Sequence, residues 1–169
     1  MSAPRTVRAY IALGSNLGDP SATVQAALAA LEALPQTTLV AASSLYRSAP
    51  VGLKNQPDFI NAVAAADTQL SAPALLKALF AIEARFGRRR EFHHAPRTLD
   101  LDLLLYGDVV SADPRLTLPH PRMHERAFVL LPLTEIAPEA AIPGHGPAAA
   151  LLEGVRGQVL SRLEPVKSS

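Results

Sequence analysis

The chain has no cysteine and no tryptophan, and only 5 Phe and 3 Tyr in 169 residues. Without cysteine it can form neither a disulfide nor a thiolate metal site, which fits an intracellular protein. An excess of either charge is also missing: Lys plus Arg number 16 and Asp plus Glu 15, a formal net charge of +1. No global field draws such a chain to nucleic acid or to an acidic membrane, so any anion site has to be local. Long apolar runs are lacking too. Residues 1–9 (MSAPRTVRA) have no apolar core of the signal-peptide kind, and no run approaches the ~20 residues of a membrane span. The expectation is a cytoplasmic protein without nucleic-acid or membrane partners, one domain over residues 1–169 with its core in about 7–143. A monomer is expected.

Helix and strand signals alternate along the chain. Val7 to Leu13 (VRAYIAL) reads as a strand ended by a turn at Gly14-Ser15-Asn16-Leu17-Gly18. Asp19-Pro20 supplies an N-cap and a first-turn proline, and Val24, Leu28, Leu31 and Leu34 recur at helical spacing up to Pro35. A second strand is expected over 38–47, an irregular stretch around Pro50, Gly52 and Pro57, and a third strand from Asp58 to Ala66. A second helix runs from about Pro73 to Phe86 with Leu75, Leu76, Leu79, Ile82 and Phe86 on one side, and Gly87 ends it. Residues 88–96 (RRREFHHAP) carry no period. A fourth strand over 99–106, a hairpin at Gly107-Asp108 with Val109-Val110, a helix near His124 to Ala137 and a proline-rich tail follow. The order β-α-β-β-α-β predicts an α+β fold: a ferredoxin-like antiparallel sheet with helices on one face, plus a C-terminal extension.

The stretch RTLDLDLLLY (97–106) puts two acids inside an otherwise apolar strand. Side chains two apart on a strand share a face, roughly 6.5–7 Å apart, so Asp100 and Asp102 face one way and Leu99, Leu101 and Leu103 the other. Two half-buried like charges repel and are costly to desolvate, and a cation between them relieves both penalties. Oxygen ligands without nearby His or Cys suit Mg²⁺, which takes one or two carboxylates together with substrate phosphates. The plainer alternative is an amphipathic strand with a solvated acidic face.

Arg97 and the Arg88-Arg89-Arg90 run upstream weigh toward the metal platform, since arginines beside metal-holding carboxylates make sense when a polyanion bridges them. ATP and two Asp carry about six negative charges, of which two Mg²⁺ offset about four, and guanidinium forks match phosphate oxygens. A solvated helix end is the competing reading for Arg88 to Arg90. Gly14 to Gly18 has neither the P-loop lysine nor the Rossmann spacing and reads as a tight turn. Pro119 and Pro121 hold the backbone of His120 extended, so that its ring can be aimed, near Arg122 and Arg126.

YIALGSNLGD, SSLYRSAPVG, QPDFINAV, GRRR, PRTLDLDLLLYG and LTLPHPRMHERAFVLLPLTEIAPE, in this order from about residue 8 to 143, closely resemble the 6-hydroxymethyl-7,8-dihydropterin pyrophosphokinases of folate biosynthesis. The resemblance implies transfer of the β,γ-pyrophosphoryl group of ATP to the pterin hydroxymethyl oxygen with release of AMP. It implies two Mg²⁺ held by Asp100 and Asp102. For the pterin it implies stacking between Phe59 and Phe128, a hydrogen bond from Asn61, and backbone recognition by Ser48, Ala49, Pro50 and Val51. Phe59 and Asn61 alternate with Ile60, so both can face one pocket. For ATP it implies Arg88, Arg90, Arg97, Leu103, Arg115, Thr117, His120 and Arg126, with Glu83 supporting; Arg88, Arg90 and Arg97 join the aspartates as the catalytic set.

Two departures from the family pattern stand out. The Gly87–Asp100 loop, which the family closes over both substrates, is one residue shorter than in the bacterial form and lacks its tryptophan near His94, and Phe59 stands where tyrosine is commoner. No covalent intermediate is required, and the metal and Asp102 are expected to assist deprotonation. Two rivals share the topology. A two-metal palm domain accounts for the aspartates but not for Phe59, Asn61 and His120, and an RNA-binding sheet requires a basic face with exposed aromatics.

Overall fold

Alternating side chains from Val7 to Ser15 make the first strand, β1, with Ala9, Ile11 and Leu13 on one face and Tyr10 and Ala12 on the other. The computed structural model describes residues 6–16, 18–49, 58–87 and 99–163. Helix α1 (Pro20–Glu32) starts where Asp19 accepts the Ala22 N–H at 3.2 Å, with proline at a position whose N–H needs no partner. Strands β2 (Thr37–Ala42), β3 (Tyr46–Ser48) and β4 (Phe59–Thr68) follow. Helix α2 (Ala72–Arg85) is capped by Ser71, which accepts the Ala74 N–H at 3.2 Å. After β5 (Asp100–Tyr106) come a 3₁₀ turn (Met123–Glu125) and α3 (Ala127–Ile136). The remainder holds β6 (Ala141–Ile142), β7 (Gly146–Pro147), the short α4 (Ala148–Leu151), a 3₁₀ turn (Leu152–Val155) and β8 (Leu160–Arg162).

Six strands form one antiparallel sheet in the order β5-β1-β4-β3-β8, with β2 also paired to β4. Helices α1 and α2 cover one face, burying Val24, Leu31, Leu75, Leu79 and Ile82 against Ile11, Leu13, Leu101 and Leu103. Each such side chain contributes roughly 1.5–3 kcal/mol of burial, and together they hold β5 at the sheet edge. Helix α3 covers part of the other face, where Val129, Leu130 and Leu133 pack on Ala12, Val63, Leu104 and Leu105. Among the described residues no helix is long and apolar enough to cross a membrane.

The molecule departs from the expectations in several places. The two helices of the β-α-β-β-α-β unit share one face as expected, but α3, which follows it, lies on the opposite face, so the face that carries the aspartates is only partly open. The expected strand over 38–47 is split, because the Ser43 hydroxyl accepts the Val63 N–H and the Ser44 N–H turns to Glu135 on α3. Gly14 belongs to β1 rather than to a turn, and the left-handed residue of that turn is Gly18, at φ 63°. The third strand runs on to Thr68. Val109 and Val110 are exposed and form no strand; Ser111 pairs with Leu118 instead. Helix α3 begins at Ala127 because Arg126 is extended. Within the described part of the tail, β8 pairs with β3.

Candidate active site

Asp100 and Asp102 are half-buried on one face of β5, while Leu99, Leu101 and Leu103 point into the core beneath α1 and α2. Across the sheet Asp100 lies opposite Gly14, Gly14 opposite Asn61 and Asn61 opposite Tyr46; Asp102 lies opposite Ala12. Directly paired residues project to the same side, so Asp100 and Asn61 face one space with only a glycine between them. A Cβ on Gly14 would sit 3.2 Å from Asn61 Oδ1, so the missing side chain is what gives that space its floor. The peptide between the aspartates is fixed from the far side: the buried Glu83 of α2 accepts the Leu101 N–H at 2.8 Å.

No group of three or more His, Cys, Asp or Glu that could hold a metal occurs among the described residues. A carboxylate pair of hard oxygens, flanked by Gly14 and Ala12, fits Mg²⁺, which keeps its waters and draws further ligands from phosphate.

Strand β5 carries an irregularity that sequence alternation hides. Leu103 pairs with Ile11 and Leu105 with Tyr10, which leaves Leu104 as the extra residue of a β-bulge. Leu104 and Leu105 therefore both turn to the α3 side. The Leu104 carbonyl accepts the His120 N–H at 2.9 Å and brings His120 beside Asp102. Burial holds the His120 imidazole below its ordinary range, and the Asp102 charge only partly opposes this, so neutral imidazole is favoured. The Leu118–Pro119 peptide is cis.

Asp102, Leu103, Arg115, Thr117 and His120 line a single cavity of about 290 Å³ at the outer edge of β5, walled on its apolar side by Leu76 and Phe80 of α2. Arg115 is largely exposed and hydrogen-bonds Asp113, whose main-chain oxygen accepts from Thr117 Oγ1.

On the other side of the aspartates, Phe59 and Asn61 project from β4 to the α3 face. Asn61 Nδ2 donates to Ser48 Oγ at 2.7 Å, a buried bond that leaves Asn61 Oδ1 turned toward Gly14. Phe128, in the first turn of α3, packs on the edge of that second core, and the Arg126 guanidinium lies 5.4 Å from its ring centroid. Ala49 is exposed just beyond β3. Pro50, Val51, Arg88, Arg90 and Arg97 lie outside the described residues.

Sequence reading missed Tyr46, Ser44 and Glu135. Glu135 of α3 accepts from the Ser44 N–H at 3.0 Å, from Ser44 Oγ at 2.8 Å and from Tyr46 Oη at 2.7 Å, with Arg162 at 3.6 Å. Burial pushes the Glu135 carboxyl up, but these donors together outweigh it and hold the group below its ordinary value. Burial and the facing carboxylate raise Tyr46 to about 12. Their signal is long-range and has no sequence period. Gly14 did have one, since a glycine inside a strand pattern marks close approach.

The family model of 7,8-dihydro-6-hydroxymethylpterin-pyrophosphokinase matches residues 10–138. The 2-amino-4-hydroxy-6-hydroxymethyldihydropteridine pyrophosphokinase of Pseudomonas aeruginosa is 52% identical over 153 residues, 88% of this chain and 94% of that protein. The Haemophilus influenzae protein of the same name is 45% identical over 159 residues, 94% of this chain and 99% of its own. Among solved structures, a Plasmodium falciparum HPPK-DHPS triple mutant with pteroate superposes with a TM-score of 0.75 at 14% identity, over 96% of this chain and 48% of that one. The chain thus spans about half the length of that solved protein, and the likeness speaks for the fold alone. The family match runs from β1 through α3, across every described residue placed around the aspartates and the cavity: the chain belongs to the 7,8-dihydro-6-hydroxymethylpterin-pyrophosphokinase family.

Proposed function

We propose that this pyrophosphokinase binds the pterin and ATP on opposite sides of the Asp100–Asp102 pair. It transfers pyrophosphate from ATP to the hydroxymethyl group of 6-hydroxymethyl-7,8-dihydropterin in folate biosynthesis. The observation that carries the site reading is the lateral order of residues. Ser48, Phe59 and Asn61 stand on β3 and β4, Gly14 follows on β1, the aspartates on β5, and the cavity with Arg115, Thr117 and His120 lies beyond. Asn61 and Asp100 are two strand spacings apart, about 10 Å, room for a hydroxymethyl group to meet a phosphate.

In this reading Phe59 and Phe128 stack the heterocycle while Asn61, oriented by Ser48, takes its polar edge. Leu103, Arg115, Thr117, His120 and Arg126 hold the nucleotide, together with Arg88, Arg90 and Arg97. The hydroxymethyl oxygen attacks the β-phosphorus, the bond from that phosphorus to the α,β-bridging oxygen breaks, and AMP leaves. Asp102, together with the metal, would assist removal of the hydroxymethyl proton. Two Mg²⁺ on Asp100 and Asp102 would polarise the phosphate oxygens and offset their charge. Holding the two substrates in line supplies much of the acceleration, and neutral His120 can donate a hydrogen bond without adding net charge.

The strand order supports a ferredoxin-like split βαβ sheet with the C-terminal segment appended. We further read the chain as one domain, monomeric and cytoplasmic. The test is product analysis with ATP, Mg²⁺ and the pterin. AMP formed only when the pterin is present is the expected result; ADP, or no pterin-dependent product from folded protein, overturns the reading.

A further inference from the structure

Helix α3 starts at a residue that cannot cap it. Arg126 occupies the N-cap position with extended backbone (φ −120°, ψ 115°), and its side chain makes no capping hydrogen bond. A guanidinium is donor only, so it has nothing to offer an orphan N–H at a helix start. The acceptor comes instead from far along the chain. Gln158 Oε1 accepts the Ala127 N–H at 2.9 Å, and Gln158 Nε2 donates to the Glu125 carbonyl at 2.8 Å. A single primary amide thus brackets Arg126 as a neighbouring strand would, bonding the residue before it and the residue after it.

The location of Gln158 extends its reach. Two residues on, Leu160 pairs with Ser48 at the start of β8 and packs in the core beneath α3. One short segment therefore grips both the strand that carries Ser48 and the turn from which Arg126 and Phe128 project.

We propose that Gln158 is a positioning residue for both substrates. By clamping the backbone around Arg126 it aims the guanidinium at the nucleotide and the Phe128 ring at the pterin. The arginine is kept at the cap position for its contact with substrate, and the cap it displaces is supplied by Gln158. This inference rests on the pyrophosphokinase reading of the site.

Double-mutant cycles test it, with the binding of each substrate measured by calorimetry and KM and kcat by AMP release. Gln158→Ala is expected to weaken pterin and ATP binding about five-fold each, the scale of one net hydrogen bond. Against Phe128→Ala the pterin effect should vanish, and against Arg126→Ala the ATP effect should vanish, because Gln158 acts through those side chains. Additive losses, or substrate affinities equal to wild type, overturn the proposal, since a merely structural role lowers stability without coupling to either partner. If Gln158→Ala does not fold, the same cycles are run with Gln158→Glu, which keeps the acceptor for Ala127 and sets a carboxylate oxygen against the Glu125 carbonyl, and they are judged by the same criterion. A wild-type protein that forms no pterin-dependent AMP overturns the functional reading itself, and that failure is visible before any variant is made.

Discussion

Asp100 and Asp102 share one half-buried face of β5, where two like charges repel at close range. Asp100→Ala or Asp102→Ala should abolish turnover, while urea unfolding stays within about 1 kcal/mol of wild type, because both side chains stand on the half-buried face and not in the core. Gly14 makes a finer test. Gly14→Ala places a Cβ 3.2 Å from Asn61 Oδ1, and Asn61 is already tied to Ser48. Pterin affinity should fall several-fold, on the order of 1 kcal/mol, with ATP affinity unchanged; equal losses for both substrates would count against Asn61 as a pterin ligand. Phe128→Ala should likewise weaken pterin binding more than ATP binding, and calorimetry on each substrate separates the two.

Among the elements, α3 is the one whose placement decides the pterin side of the proposed site, and polar contacts hold it at both ends. Gln158 grips the start, and Glu135 near the end ties the helix to Ser44 and Tyr46. Glu135 titrates below its ordinary value of 4.5 in the folded chain. The unfolded state therefore takes up the proton first as pH falls. The stability Glu135 contributes is fully present above 4.5 and is lost as pH drops through the lower folded value. Glu135→Gln should cost about 1–3 kcal/mol at pH 7, and the gap from wild type should narrow below pH 4.5 in urea titrations. The helices α1 and α2 were legible from apolar spacing, since burial against the sheet selects that spacing directly. The break between β2 and β3 was not, because Ser43 and Ser44 look strand-compatible and are diverted by distant partners, Ser43 by the Val63 N–H and Ser44 by Glu135, 91 residues on.

For the molecule as a whole, net charge +1 leaves substrate capture to the local site instead of to a general field. Folding and binding are then linked through that site. Mg²⁺ with ATP at about 100 times its Kd should add about 2.7 kcal/mol, a rise of roughly 5–10 °C in Tm. Chelation of the metal should remove most of the rise; a shift that persists in excess EDTA would detach nucleotide binding from the aspartate pair.

Local direction was legible in the sequence. The period of two in β5 sets both aspartates on one face, and the spacing of Phe59 and Asn61 sets them together on β4, because strand geometry acts between neighbours in the chain. Which rows meet depended on the packing of the folded chain. The register that puts Gly14 between Asp100 and Asn61, the bulge at Leu104 that brings His120 to Asp102, and the amide of Gln158 that caps α3 from 31 residues away all depend on packing between distant segments. Such contacts leave no local period in the sequence, since each is selected by the shape of the folded sheet rather than by the residues on either side of it.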